Sequence, residues 1–358
     1  MGENERMSVL YVAYPLLTVS EDSAGGAEQV LLTLDYRMTA AGHRTAVGAS
    51  DGSNVPGKLL ATGYAVSGPD QYERREREHT AAILRYLRRN PDEFDLIHDM
   101  SGSFWRHASE CDQPVLATLH LPRSFYRDEW FRGLPPNLFV NCVSEAQVRS
   151  FSGVLNLAVV QNGIRVERFP LTAEKRNFVL WLGRVCQEKA PHLAIQAADR
   201  ANLPLVLAGQ VYPFSYHQQY FEREIKPHIS GDSYAPVRFV DTPTWAHKIE
   251  LLRRARALVV SSTTEETSSL VAMEAMACGT PVVAFRRGAF PDVVVDRVTG
   301  YVVDTVQEMA EALTRANTIS PRACRARVET YFTAERMQRE YRALYQQVLS
   351  RAKSRFAA

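Results

Sequence analysis

The sequence predicts an α/β protein made of two doubly wound parallel-sheet domains, and three observations carry that prediction. At 358 residues the chain is too long for one typical core and suits two domains. Short apolar runs alternate with amphipathic helical patterns along its length, as they do when parallel strands are joined by helices. The alternation then starts again after an aperiodic stretch near the middle.

The elements can be justified in order. "SVLYVAY" (residues 8–14) is a strand. A loop holding Gly25 and Gly26 leads into the helix "AEQVLLTLDYRMTAAG", and "RTAVGAS" is the next strand. "YERREREHTAAILRYLRRN" is an arginine-rich helix whose glutamates make a solvated face the plainer reading. "FDLIHDM", "PVLATLH", "LFVNCVS" and "NLAVVQN" follow as short buried runs. Each ends in polar or turn residues, as strands do when their C-terminal edge forms a site. The stretch "GIRVERFPLTAEKR" (163–176) has no apolar period and reads as the linker. The series restarts with the strand "NFVLWLGR" (177–184) and the helix "APHLAIQAADRA". "PLVLAG", "VRFVD", "ALVVSS" and "PVVAF" are further strands with helices between them. The final segment is a long amphipathic helix with Met337, Tyr341, Leu344, Tyr345 and Val348 at helical spacing.

Composition excludes several classes. Hydrophobic residues make up 46% and charged residues 23%, as in an ordinary soluble globular protein. A net charge of +2 gives no argument for nucleic acid. Five cysteines form no CxxC pair and sit in apolar patterns, which suits reduced thiols of a cytoplasmic protein. The N-terminus, with acids before a short apolar run, does not read as a signal peptide, and no apolar stretch is long enough to span a bilayer.

Four stretches carry candidate chemistry. In "GRVCQEKAPHLAI", Arg184 and Lys189 fall between a buried strand and the start of a helix. An Arg fork, a Lys point charge and free helix N–H groups together suit a diphosphate. Two solvated surface cations would look the same. In "SAGGAEQVLL", Gly25 and Gly26 could let backbone approach a ligand, but no GxGxxG pattern is present and a plain turn also fits. His120 closes the strand "PVLATLH" and precedes a loop with Phe125, Tyr126, Trp130 and Phe131. That position suits ligand contact, and equally a hydrogen-bonded structural histidine. His98, in "LIHDM", reads as structural.

The fourth stretch is "EETSSLVAMEAMACGTPVVA" (265–284), where Glu274 stands among apolar neighbours. A buried carboxylate is costly unless something polar meets it. A helix starting near Ser268 places Glu266 in the preceding loop and Glu274 about two turns in. Eight helical residues span about 12 Å, far beyond the roughly 5 Å between the carboxylates of a retaining glycoside hydrolase. Two separate contacts with one elongated ligand fit better. The amides of Ser268, Ser269 and Leu270 would then face phosphate. The competing reading pairs Glu274 with a buried Arg.

Taken together these motifs resemble the retaining nucleotide-sugar glycosyltransferases of family 4, the group 1 transferases. The resemblance rests on Glu266 and Glu274 with seven residues between them, followed by "AMACGTPVVAF". "GRxxxEK" at 183–189, "NGI" at 162–164, "TGYVVD" at 299–304 and the last helix also match. It implies a GT-B fold, two Rossmann-like domains facing each other across a cleft. It implies an acceptor-binding domain over 1–168, a donor-binding domain over 169–330, and a terminal segment, 331–358, that returns to the first domain. Arg184, Lys189, Gly25, Gly26 and the amides near Ser268, Ser269 and Leu270 would hold the donor diphosphate. Glu274 would bind ribose, Glu266 would contact the transferred sugar, and His120 would line the reaction centre. No metal or cofactor is implied. The donor would be a UDP-sugar, or a GDP- or ADP-sugar, with its base met by backbone around 239–242. The acceptor would be a hydroxyl on a sugar, lipid or small molecule, with at most peripheral membrane contact. Thr267, Ser268 and Ser269 stand where many relatives have Pro-Phe-Gly, and Arg165 stands where an aspartate is common. Other readings are a silent nucleotide-sugar binder on the same fold, or a GT-B epimerase or phosphorylase.

Overall fold

The computed structural model describes residues 6–23, 25–66, 71–151, 153, 157–229 and 236–356. Residues 1–5 and residue 156, which opens the run "NLAVVQN", lie outside the described residues. The chain forms two compact units. The first is Met1–Gly163 with Ala334–Ala358, and the second is Ile164–Thr333.

The first unit holds a seven-stranded sheet. Its strands are β1 (Ser8–Val12), β2 (Arg44–Ala49), β3 (Lys58–Ala61), β4 (Leu96–Asp99), β5 (Val115–Leu119), β6 (Leu138–Cys142) and β7 (Ala158–Val159). They run in the order β3-β2-β1-β4-β5-β6-β7, each pair parallel. Every residue of β4 and β5 is buried. That explains why these strands read as continuous apolar runs rather than alternating ones. The edge strand β3 carries no such signal, since only one of its four residues is buried.

The second unit holds six parallel strands. They are β8 (Val179–Leu182), β9 (Leu205–Gly209), β10 (Val237–Asp241), β11 (Ala257–Val260), β12 (Val282–Phe285) and β13 (Gly300–Val303). Their order is β10-β9-β8-β11-β12-β13. In both sheets the chain winds outward one way, then returns beside its first strand and winds the other way. This leaves a switch point between β1 and β4, and another between β8 and β11. Ligands of such sheets bind in the crevice at the C-terminal strand ends there.

The first unit ends at Gly163 rather than residue 168, because the stretch read as a linker is packed. Ile164, Val166 and Phe169 are buried in the second core. Lys175 donates to the carbonyls of Arg253 and Cys278 and to Thr280 Oγ1. The stretch lacks a period because it lies irregularly over the second unit, not because it is free.

The last helix, Ala334–Phe356, belongs to the first unit. Met337, Tyr341, Tyr345 and Val348 are buried, as are Leu349 and Ala352, while Leu344 is only half-buried. Tyr345 Oη lies 2.7 Å from His98 Nδ1, and His98 Nε2 lies 2.6 Å from Thr118 Oγ1. Thr118 in turn donates to Asn141 Oδ1 at 2.7 Å. His98 is therefore a structural link between sheet and helix.

Candidate functional site

The site is clearest at the second switch point. The loop after β8 is pressed against the end of β9: a Cβ on Gly209 would lie 1.7 Å from the Gly183 carbonyl oxygen. Only glycine permits that approach. Val185 N donates to Gln210 O at 3.0 Å and keeps the two loops side by side.

The loops after β8 and β11 are stitched to each other. Thr263 N donates to Glu188 O at 3.0 Å, and Ser261 Oγ donates to Ala190 O at 2.7 Å. Ser262 Oγ reaches Glu188 O at 3.2 Å. Ala190, just before the helix Pro191–Arg200, takes the left-handed conformation at φ +47. A non-glycine residue there is strained, and such strain collects at functional sites.

Across this seam Lys189 Nζ donates to Glu266 Oε1 at 2.5 Å, with the Glu266 side chain only 13% exposed. The sequence assigned these two residues to phosphate and sugar separately, and the fold puts them in direct contact. Glu266 is braced from the β12 loop, where Ala289 N donates to its carbonyl at 2.7 Å. Gly288 has φ +53, and a Cβ on it would lie 2.1 Å from that same oxygen. Arg184 is exposed, its guanidinium 5.5 Å from the centre of the Tyr212 ring.

The helix after β11 begins later than the sequence suggested. It spans Leu270–Ala277, with Ser269 as its cap accepting from Ala272 N at 3.4 Å. The unbonded amides of the first turn are therefore those of Leu270 and Val271, and Ser268 and Ser269 precede the helix. The Ser268 hydroxyl is buried and makes no hydrogen bond among the described residues.

Glu274 is 6% exposed. The sequence reading gave it the ligand as partner; the fold gives it a protein partner. Lys248 Nζ, from the helix Trp245–Arg254, donates to Glu274 Oε1 at 2.7 Å. Lys248 was missed because a lysine on an amphipathic helix reads as solvated. It leaves no signal until the helices are packed.

In the first unit, Gly25 caps the helix Gly26–Ala40, so Gly26 is its first residue. Glu28 sits buried in the first turn, and burial pushes its carboxyl up. His120 follows β5. Gln147 Nε2 donates to the carbonyls of Leu119 and Leu121 on either side, which fixes the histidine's backbone. Burial holds the His120 imidazole down at about 4, so the ring is neutral near pH 7. Asp99, at the end of β4, was also missed. It is buried and accepts from Ser101 N and Trp105 N, each at 2.7 Å. Burial raises its carboxyl to about 6 despite those bonds. An acid ending an otherwise apolar strand was the available signal.

No helix among the described residues is long and apolar enough to cross a membrane, and all five cysteines are free and buried.

Two parallel sheets, each flanked by helices and each with a switch point, define the fold of the GT-B glycosyltransferases. Residues 164–329 match the family described as "Glycosyl transferases group 1". Among proteins of known structure, sucrose-phosphate synthase from Thermosynechococcus elongatus superposes with a TM-score of 0.79 at 22% identity. That match covers 96% of this chain and 100% of the other. Anabaena Alr3699/HepE, solved in complex with UDP and glucose, gives 0.75 at 16% identity over 96% and 100%. In sequence, a D-inositol 3-phosphate glycosyltransferase of Saccharomonospora viridis is 26% identical, over 87% of this chain and 85% of its own. Other matches are shorter, and the chain spans about half the length of one curated relative, 48%, and 30% of another.

Proposed function

We propose that the protein is a retaining glycosyltransferase of family 4. It moves a hexose-type sugar from a nucleotide-diphosphate sugar to a hydroxyl acceptor without needing a metal. The observation that carries this reading is the Lys189–Glu266 contact at the β8/β11 switch point, joining the loop that also holds Arg184 to the loop that leads into the helix Leu270–Ala277. Cations and free helix amides there suit a diphosphate, and a carboxylate held against the same lysine suits the sugar attached to it.

In this reading Arg184, Lys189 and the amides of Leu270 and Val271 take the diphosphate charge. Glu274, oriented by Lys248, accepts from the ribose hydroxyls. The bond from the sugar's anomeric carbon to phosphate breaks, and the acceptor oxygen bonds to that carbon on the same face. The acceptor proton passes to the departing phosphate oxygen. Glu266 stabilises the positive character that develops on the sugar. Residues of the first unit, with neutral His120 among them, handle the acceptor. The UDP complex of the structural neighbour supports a UDP-sugar donor.

A panel of UDP-, GDP- and ADP-sugars incubated without acceptor tests the reading. Slow release of sugar with its anomeric configuration kept, seen by NMR and needing no added Mg2+ or Mn2+, is the expected result. Tight binding without any turnover would mean a silent binder. Release with inverted configuration would remove the retaining assignment.

A further inference from the structure

Cys186 and Glu188 lie in the same loop as Arg184 and Lys189, and His217 comes from the short helix Ser215–Tyr220. In sequence they are unrelated, and no metal-ligand spacing joins them. The fold brings Cys186 Sγ, a Glu188 carboxylate oxygen and a His217 ring nitrogen within 4.8 Å of one another. Cys186 is wholly buried and His217 is 2% exposed. Two of the polar atoms here lack hydrogen-bond partners among the described residues: Glu188 Oε2 and His217 Nδ1 are both buried and unbonded. A buried carboxylate oxygen and a buried ring nitrogen left this way in one cluster are costly unless something else meets them.

We propose that Cys186, Glu188 and His217 form a binding site for a divalent cation of the zinc class, fastening the loop after β8 to the helix Ser215–Tyr220. A sulfur, an imidazole nitrogen and a carboxylate oxygen suit zinc, whereas calcium and magnesium prefer oxygen alone. With zinc–sulfur bonds of about 2.3 Å and zinc–nitrogen bonds of about 2.0–2.1 Å, ligand atoms sit roughly 3.2–3.8 Å apart. The three groups therefore need to close by about 1 Å. Water fills the fourth position.

The charges balance. On binding, the Cys186 thiol gives its proton to solvent, and thiolate plus carboxylate then match the two positive charges of the ion. Arg184 keeps its own charge for an anionic ligand. Burial raises the Cys186 thiol, and the Arg184 guanidinium opposes that and favours the thiolate. Burial lowers His217, and Arg184 adds to the effect while Glu188 opposes it, so the imidazole is neutral and able to ligate. Rings surround the histidine, with Tyr216 at 4.3 Å and Phe214 at 5.2 Å between centroids, and limit water around the site. The inference concerns a bound ion and does not depend on sugar transfer.

The test uses the full-length protein, stripped with chelator and titrated with Zn2+, then with Co2+ as a coloured stand-in. The expected result is one ion per chain. Cobalt should give a near-ultraviolet sulfur-to-metal band and the visible bands of a tetrahedral site. Affinity should rise with pH, because the thiol must lose its proton. Cys186→Ser and His217→Gln should each weaken binding by about 100-fold or more, since even the loss of a group behind a ligand costs about 10- to 100-fold. Circular dichroism melting without metal shows whether each variant is folded, and either one alone suffices. No stoichiometric binding overturns the proposal. So does binding that a folded Cys186→Ser or His217→Gln variant leaves unchanged, and so does a cobalt complex lacking the sulfur band.

Discussion

The loops after β8 and β11 carry full charges that meet in pairs, Lys189 with Glu266 and, one helix along, Lys248 with Glu274. The loops after β1, β4 and β5 present a different chemistry on the same topology. There Asp99 is driven up and His120 down by burial, so both move toward their neutral forms. Beyond them stand exposed apolar side chains, Tyr14 after β1, Tyr64 after β3, and Leu121 and Phe125 after β5. The two edges thus differ in their buried groups, ion pairs in the second unit and a desolvated acid and imidazole in the first, although the loop after β5 also carries the Arg123–Asp128 ion pair. The backbone supplies a crevice at each switch point, and the side chains decide what each can hold. The difference fits a charged donor on the second unit and an uncharged hydroxyl acceptor on the first.

The largest effect is expected where the ionic edge meets the reacting sugar. On the proposed mechanism Glu266→Gln removes the carboxylate that stabilises developing positive charge, so kcat should fall about a hundredfold or more. The same change frees Lys189 from its ion pair, so affinity for free nucleoside diphosphate should hold or rise. Steady-state kinetics with nucleotide titration measures both. Lost diphosphate affinity with kcat intact would reverse the roles of the two residues.

Next come the cations. Arg184→Ala and Lys189→Ala should each weaken nucleoside diphosphate binding about ten- to a hundredfold, the worth of a charge-assisted hydrogen bond. Calorimetric titration decides it, and unchanged affinity in both variants would put the phosphates elsewhere.

The desolvated edge should show itself in acid. His79 is buried and pushed from 6.5 down to about 3, mainly by burial, with the Arg75 charge adding to it. Protonation therefore favours the unfolded chain, so stability is lost as pH falls below 6.5 and goes on falling toward about 3. His120 acts the same way between 6.5 and about 4. Asp99 works in reverse, giving stability back as pH falls through about 6 toward 3.8. Burial also lowers His43, His98, His192 and His217 and raises Glu28 and Asp35, so six histidines stand against three acids and Tm should drop between about pH 7 and about pH 5. His79→Gln should flatten that slope by an amount on the order of 2 kcal/mol at the acid end. A slope unchanged in the variant would take burial of His79 out of the account.

The smallest effect is expected at the link between the first sheet and the last helix. Tyr345→Phe removes the hydroxyl that bonds His98 and should cost about 1–2 kcal/mol in denaturant unfolding, without changing diphosphate affinity. An equal loss of affinity would mean that the link does more than hold the helix.

How much of this could be read without coordinates depends on whether the signal was local. Strand β13 shows only as part of the motif "TGYVVD", while β1, β2 and β4 to β7, and five of the six in the second sheet, β8 to β12, read as apolar runs, as covered parallel strands do. Edge strand β3 does not, since most of it faces solvent. The stretch from Ile164 to Phe169 looked like a linker because irregular packing leaves no period, although its apolar residues are buried. Glu266, Glu274, Arg184 and Lys189 were legible as residues out of place or in a fixed spacing.

By itself the sequence determined the two α/β units, the strand-end position of the charged groups and the placing of Glu274 in an apolar run. Each is a matter of short-range pattern: period, run length, or one polar residue in an apolar setting. The tertiary structure decided who meets whom. Lys189 lies 77 residues from Glu266 along the chain and Lys248 lies 26 from Glu274, while a helix and a strand separate His217 from Cys186 and Glu188. Such pairings arise only when sheet order places one strand beside another, and order follows from how the whole core packs rather than from any one segment.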